Sequence, residues 1–251
     1  MLHPGALSQK SFKKNIYLFL FKLFKIHKFC AFHATTAEEK NHIQKIFGIR
    51  TKVFVAQNFP RIFTNQDQLH KQSGVLYLVS IALISPMKNH LVVINALMKC
   101  QGYISYNIYG PVKDQAYWDI CLERIKKLPP NIIVNHHGDI LPREVEKALA
   151  KNDVFVMPSK SENFGHALYE ALTAGKPIIT SHNTPWNNLK IANAGINVAP
   201  ENEEELVNAI QYFTSMNHGE FMHWNEGANR YALEAINIDD IKNQYKQMFL
   251  I

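Results

Sequence analysis

An α/β architecture built on an open parallel sheet is the fold class this sequence predicts, and three observations lead to it. From residue 75 to about residue 200, short aliphatic runs alternate with single helical patterns, the order expected of strands joined by crossover helices. The string DVFVMPSKSENFGHALYEALTAGKPIIT, residues 153–180, reads as strand, loop, helix and strand, with Gly175 stopping the helix before Lys176-Pro177. The chain has 251 residues, 47% of them apolar, with 11 glycines and 11 prolines; that composition suits one or two globular domains and excludes disorder of the whole.

Residues 1–5 read as loop, and Ser8 is a plausible N-cap for a helix running to about Phe29. Phe12, Ile16, Phe19, Leu20 and Leu23 share one stripe of that helix, and Lys10, Lys14, Lys25 and Lys28 gather opposite. Two readings stand. The stripe packs on a neighbouring sheet with its lysines in water, or residues 8–29 lie in a membrane interface, with Leu18 and Phe21 among the lysines. The longest apolar run here, residues 16–21, has six residues, too short for a span or a convincing signal peptide. Six lysines fall within the first 30 residues, where the formal charge of +6 concentrates, and an anionic membrane surface or an acidic substrate would suit it. A nucleic-acid reading finds no reader motif after these lysines.

Residues 30–34 and 52–56 read as strands around a helix at 36–47, capped by Thr35 or Thr36 and stopped at Gly48. Residues 57–73, polar with Pro60, read as a linker. A boundary there divides the chain into residues 1–60 and 61–251. Beyond it, strands are expected at 75–81, 106–109, 132–135, 154–157, 177–180 and 194–199. Helices are expected at 91–99, 115–127, 143–150, 167–174, 201–213, 221–235 and 238–249. The cysteines, Cys30, Cys100 and Cys121, are odd in number, lie in apolar segments and have no C-x-x-C spacing, so buried free thiols in a reducing compartment are expected. His136-His137 has no carboxylate or cysteine at ligand spacing, which argues against a metal site.

Ligands of open parallel sheets bind at the carboxyl ends of the strands, and the loop at residues 159–165 occupies such a place. Ser161, Asn163, Phe164, Gly165 and His166 stand at the entrance of the following helix. There the first amide N–H groups lack intrahelical partners, the dipole is positive, and Gly165 lets a ligand approach the backbone. Such an entrance attracts phosphate. Glu170, inside the helix, suits the hydroxyls of a ribose, and Glu162 precedes it by eight residues. Taken alone, Glu162 and Glu170 could equally be solvated charges and Phe164 ordinary core.

The string Glu162-Asn163-Phe164-Gly165, then Glu170-Ala171-Leu172 and Gly175-Lys176-Pro177, resembles the Glu-x7-Glu signature of retaining nucleotide-sugar glycosyltransferases of group 1, or family 4, which have the GT-B fold. Ser85-Pro86-Met87-Lys88-Asn89-His90 resembles the same family's Ser-Pro-x-Lys-Asn-His segment, Thr184-Pro185-Trp186 its turn near the donor, and His33-Ala34-Thr35 with Gln57-Asn58 the close of its N-terminal domain. The resemblance covers most of residues 28–200. It implies that residues 61–251 are a Rossmann-like, nucleotide-sugar-binding domain, that residues 1–60 are the tail of an N-terminal, acceptor-side domain, and that most of that domain is missing before Met1.

It implies roles too. Glu162 lies against the donor sugar and Lys88 neutralises the donor diphosphate, as the catalytic pair. Glu170 holds the ribose; Ser161, Asn163, Phe164, Gly165, His166 and Asn89 complete the donor site, and Gly138 and Ile140 lie by the base. The donor is a UDP- or GDP-sugar, the acceptor a glycan or lipid-linked glycan, and the setting surface polysaccharide or glycoconjugate synthesis in the cytoplasm, with contact at the inner face of a membrane where residues 8–29 lie in its interface. No metal or cofactor is required. One departure stands out, because the family's Gly-Arg pair before the lysine is replaced by Ala82 and Leu83. A donor-binding remnant, inactive or dependent on a partner chain, is the alternative.

Overall fold

The structure is a computed structural model and describes residues 11–63 and 70–249. The expected cap at Ser8, the loop at residues 1–5 and part of the linker lie outside the described residues. Two compact units form: one joins the chain up to Phe59 with Asn237 onward, and the other spans Pro60–Ile236.

In the smaller unit, α1 (Ser11–Leu23) is followed by a 3₁₀ turn (Ile26–Lys28), then β1 (Phe32–Ala34), α2 (Ala37–Phe47) and β2 (Val53–Val55), with α9 (Ile238–Phe249) at the other end of the chain. The first helix is shorter than expected, because Lys25 adopts the left-handed conformation at φ 55° and turns the chain out of the helix. Thr36 caps α2 by accepting from the Glu39 N–H, and Gly48 ends it at φ 101°. β1 and β2 pair in parallel, Phe32 opposite Val53. Phe32 stacks on Phe47 with ring centroids 5.0 Å apart, and Phe21 of α1 meets Phe47 at 5.7 Å. The next residue along β1 points the other way, and His33 meets Tyr245 of α9 at 5.7 Å.

The larger unit holds β3 (Val75–Ile81), α3 (His90–Leu97), β4 (Tyr103–Tyr109), α4 (Gln115–Ile125), β5 (Ile132–His136), α5 (Val145–Ala150), β6 (Val154–Met157), α6 (His166–Thr173), β7 (Ile178–Ser181), β8 (Gly195–Val198), α7 (Glu203–Ser215) and α8 (His218–Ala235). A six-stranded sheet runs in the order β5-β4-β3-β6-β7-β8, every pairing parallel. The open parallel α/β expectation is met. β4 begins three residues earlier than expected because all seven residues of β3 find partners on it, Val75 opposite Tyr103 through Ile81 opposite Tyr109. Helix α8 also starts earlier, at a capping box in which Asn217 and Glu220 exchange side-chain bonds with each other's N–H groups.

Every residue of β6 and β7 is buried, as a parallel sheet covered by helices on both faces requires. Val154 and Val156 enter the large cluster of Leu76, Leu78, Ile94, Tyr106 and Phe213, while Phe155, buried on the opposite face, contributes roughly 2–3 kcal/mol of burial by itself. Strands β3, β4 and β5 step outward on one side, and β6, β7 and β8 on the other. The crossover direction reverses between β3 and β6, and the carboxyl ends of strands at such a reversal are where open parallel sheets carry their ligand crevice.

Candidate functional site

Two loops face each other across that reversal. The first follows β3 and ends at Asn89, held at φ 64° before α3. Its backbone is tied down on one side by the Ile84 N–H bonding to the Pro111 carbonyl at 3.0 Å. On the other side the buried Asn89 side chain donates to the Pro158 carbonyl at 3.1 Å and to the Pro200 carbonyl at 2.5 Å. The second loop follows β6. Its Lys160 N–H donates to the Met87 carbonyl at 2.9 Å, and its Glu162 N–H to the Asn183 carbonyl at 3.2 Å. These bonds fix the height of each loop, and Lys88 and Glu162 meet at its tip.

The Lys88 ammonium donates to Glu162 Oε1. The same carboxylate oxygen accepts from the Ser159 hydroxyl at 2.9 Å. With side-chain exposures of 22% and 12%, the pair is neither free in solvent nor sealed in the core. A charge pair of this kind holds both groups in place and leaves the ammonium able to turn toward an anionic ligand.

Helix α6 opens at Gly165, whose φ of 75° belongs to the left-handed region, and no side chain caps it. A Cβ at this position would lie 2.9 Å from Leu168 Cδ1, the movable end of a side chain, so it is the backbone conformation rather than space that calls for glycine. The uncapped amides therefore remain open to a ligand. The Trp186 indole donates to the Phe164 carbonyl at 2.6 Å, and the two rings meet edge to face at 5.5 Å. That contact pins the residues between Glu162 and Gly165. Ser161 and Asn163 are exposed beside it, and the His166 ring lies 4.6 Å from Phe164. Burial lowers the His166 pKa, and the Glu162 charge works against the lowering.

Glu170 lies four residues beyond His166 and so on the same face of α6. Burial raises its pKa, and the nearby Arg61 guanidinium counteracts the rise. Arg61 reaches this area because the Phe63 N–H bonds to Thr173 Oγ1 at 3.3 Å, while Arg61 Nη1 donates to the Pro142 carbonyl at 2.6 Å. A groove lined by Arg61, Phe63, Leu141 and Arg143 lies there. Gly138 (φ 73°) and Ile140 follow the edge strand β5, on the far side of β4 from Lys88. The Gly138 carbonyl accepts from the Gly110 N–H at 2.6 Å, and the Ile140 N–H bonds to Asp139 Oδ1 at 2.9 Å.

The structure thus brings Lys88, Glu162, Ser161, Asn163, Phe164, Gly165 and His166 to one crevice, with Glu170 one helical turn on. Asn89 is there as well, but its amide is occupied with two carbonyls. Sequence reasoning missed Ser159, Asn183 and Arg61. Ser159 stands in the Pro-Ser that ends β6, a placement that marks a loop residue but not a partner for Glu162; Asn183 and Arg61 act from distant stretches that carry no local signal. At Ala82 and Leu83 the structure shows an apolar side chain, Leu83 being 43% exposed.

Beneath Lys88 sits His90, 1% exposed, with neither ring nitrogen hydrogen-bonded. Burial, then the charges of Lys88 and His136, hold its pKa down at about 4. His136 meets the Gly110 carbonyl through Nε2 at 2.9 Å, and His137 stacks on Tyr109 at 4.5 Å. Among the described residues no three His, Cys, Asp or Glu side chains gather in a way that could hold a metal. Cys100 and Cys121 are buried free thiols, and Cys30 is half-buried and free.

The family model described as glycosyl transferases group 1 matches residues 62–230, more than half of the chain. The chain belongs to this family. No curated protein sequence matches it. Among solved structures, WaaG, a glycosyltransferase involved in lipopolysaccharide biosynthesis, superposes with a TM-score of 0.64 at 17% identity over 86% of this chain and 61% of that one. Alr3699/HepE of Anabaena in complex with UDP-glucose gives a TM-score of 0.71 at 17% identity, covering 100% of this chain and 70% of that one. TarM of S. aureus, solved with UDP, gives 0.66 at 15% identity, covering 87% and 43%. These likenesses show the fold: the six-stranded sheet is that of the C-terminal, Rossmann-like domain of a GT-B glycosyltransferase. The chain spans 61% of the length of WaaG.

Proposed function

We propose that the crevice binds a nucleotide-sugar, with UDP or GDP as the nucleotide, and that the protein transfers the sugar to a glycan or lipid-linked glycan with retention at the anomeric carbon. The observation that carries this reading is the meeting of Lys88 and Glu162 at the reversal of the sheet, beside the uncapped start of α6. In this reading the donor diphosphate takes Lys88 away from Glu162 and accepts from the amides near Gly165 and His166. Negative charge developing on the leaving diphosphate is stabilised by groups already in place. Glu162, released from the lysine, faces the sugar, and Glu170 receives the ribose hydroxyls. Ser161, Asn163 and Phe164 shape the sugar pocket, Asn89 holds the lysine loop at its height, and Gly138 and Ile140 border the base. The charge on the diphosphate is met by the protein's own groups, so no metal is assigned a role. The UDP-glucose bound in HepE and the lipopolysaccharide role of WaaG support a UDP-sugar and surface-glycan synthesis.

A second reading is a module that binds donor without turnover. It is favoured by Leu83, which stands where the resembled family carries a second cation for the diphosphate. Calorimetric titration with UDP and GDP, followed by assay of sugar release from their sugars, separates the two. Lys88→Ala and Glu170→Ala are expected to weaken binding by about 1–3 kcal/mol each. Turnover lost in Glu162→Ala supports transfer; binding without turnover supports the second reading; absence of binding refutes both.

A further inference from the structure

The apolar stripe of α1, where its side chains are described from Ile16 to Leu23, faces outward. Phe21, on the other side of the helix, is the residue that meets Phe32 and Phe47. Ile16, Phe19, Leu20 and Leu23 are left 45%, 63%, 42% and 58% exposed, and the turn after the helix adds Phe24 at 67% and Phe29 at 90%. Lys22, Lys25 and Lys28 are exposed along the same stretch. A contiguous apolar face of this kind is covered by something in the working protein.

Charge selects what covers it. The first 30 residues contain six lysines and no aspartate or glutamate, while the other residues hold 21 Lys and Arg against 21 Asp and Glu. The entire formal charge of +6 therefore resides in this segment. A second copy applied through the same face would set lysine against lysine. A surface that accepts aromatic and aliphatic side chains while presenting negative charge matches both properties at once, and a bilayer with anionic headgroups is such a surface. No described helix is long and apolar enough to cross a membrane, so the arrangement fits a helix lying in the interface plane.

We propose that the outward face of α1 and its following turn, from Ile16 to Phe29, docks the protein on an anionic lipid surface. The apolar side chains enter the headgroup boundary, and Lys22, Lys25 and Lys28 pair with lipid phosphates. The inference does not depend on the transfer chemistry, since neither the helix nor its lysines belong to the donor site.

The test is flotation of the full chain with vesicles of phosphatidylcholine alone or mixed with phosphatidylglycerol, at low and high salt. Two variants accompany it, Phe19→Ser/Leu23→Ser and Lys22→Glu/Lys25→Glu/Lys28→Glu, with UDP affinity and circular dichroism measured on each. The expected result is binding at least tenfold tighter to the anionic vesicles, weakened by salt, and lost in both variants while UDP affinity and helix content stay unchanged. Should the serine variant misfold, Phe29→Ser replaces it, because that side chain lies almost wholly in solvent. Equal binding to neutral and anionic vesicles would overturn the proposal, as would binding that survives both variants or fails to occur at all. Concentration-dependent association abolished by Phe19→Ser/Leu23→Ser, with no vesicle binding, would assign the face to a second copy instead.

Discussion

If Lys88 is shared between Glu162 and an incoming diphosphate, removing Glu162 must strengthen the binding of a bare nucleotide while it damages turnover. The magnitude follows from the pair's setting. Exposures of 22% and 12% place it between a solvated pair, worth about 0–1 kcal/mol, and a sealed one, whose breaking costs about 3–5 kcal/mol, so about 1–2 kcal/mol of stability is expected from either truncation. Lys88→Ala removes a charge-assisted hydrogen bond to UDP, a loss of roughly 1.5–3 kcal/mol, or about 10- to 100-fold in affinity. Glu162→Ala frees the ammonium and withdraws a negative charge from the diphosphate's surroundings. At an effective dielectric near 20, and with water at the crevice mouth, a gain of about 1 kcal/mol follows, a UDP affinity about fivefold higher. Calorimetry on the two single variants and the double variant measures the coupling, with urea unfolding as the stability control. The gain from Glu162→Ala shrinks in the Lys88→Ala background if the pair is the cause. Weakened UDP binding in Glu162→Ala would refute the reasoning. So would additivity of the two substitutions within about 0.3–0.5 kcal/mol.

Three further outcomes are expected. His90 is neutral and buried, and its pKa falls from 6.5 free to about 4 folded, so the unfolded chain binds the extra proton between those values. Its contribution, about 3 kcal/mol, is fully present above pH 6.5 and is lost as pH falls toward 4; urea unfolding against pH shows a shallower acid loss in His90→Asn. Gly165→Ala places a side chain at φ 75° and 2.9 Å from Leu168 Cδ1, which costs about 1–3 kcal/mol in unfolding experiments and weakens UDP binding by shifting the start of α6. Asn217→Ala deletes the capping box of α8 and lowers stability by about 1 kcal/mol with UDP affinity unchanged, a control for effects that act on the fold alone.

The helices and strands of both units were legible where their signals are local: aliphatic runs for β3 and β6 and Gly175 after α6 in the larger unit, Thr36 and Gly48 at the ends of α2 in the smaller. The site string was legible for the same reason, since loop, glycine and helix entrance are consecutive in the chain. Asn89 shows where locality ends. Its position was readable, but the task of its amide, bonding Pro158 and Pro200, depends on two loops brought together only by the strand order.

What the sequence determined by itself is therefore the alternation of elements, the parallel sheet that alternation requires, and the residues standing at the carboxyl ends of its strands. Tertiary structure decided the rest. Lys88 and Glu162 are 74 positions apart, and they meet because β6 inserts beside β3 and the sheet reverses between them. Helical periodicity revealed an apolar stripe on α1, yet could not say whether it faced inward. That depended on which ring, Phe21 or one from the stripe, fitted against Phe32 and Phe47, a matter of packing that no spacing along the chain encodes.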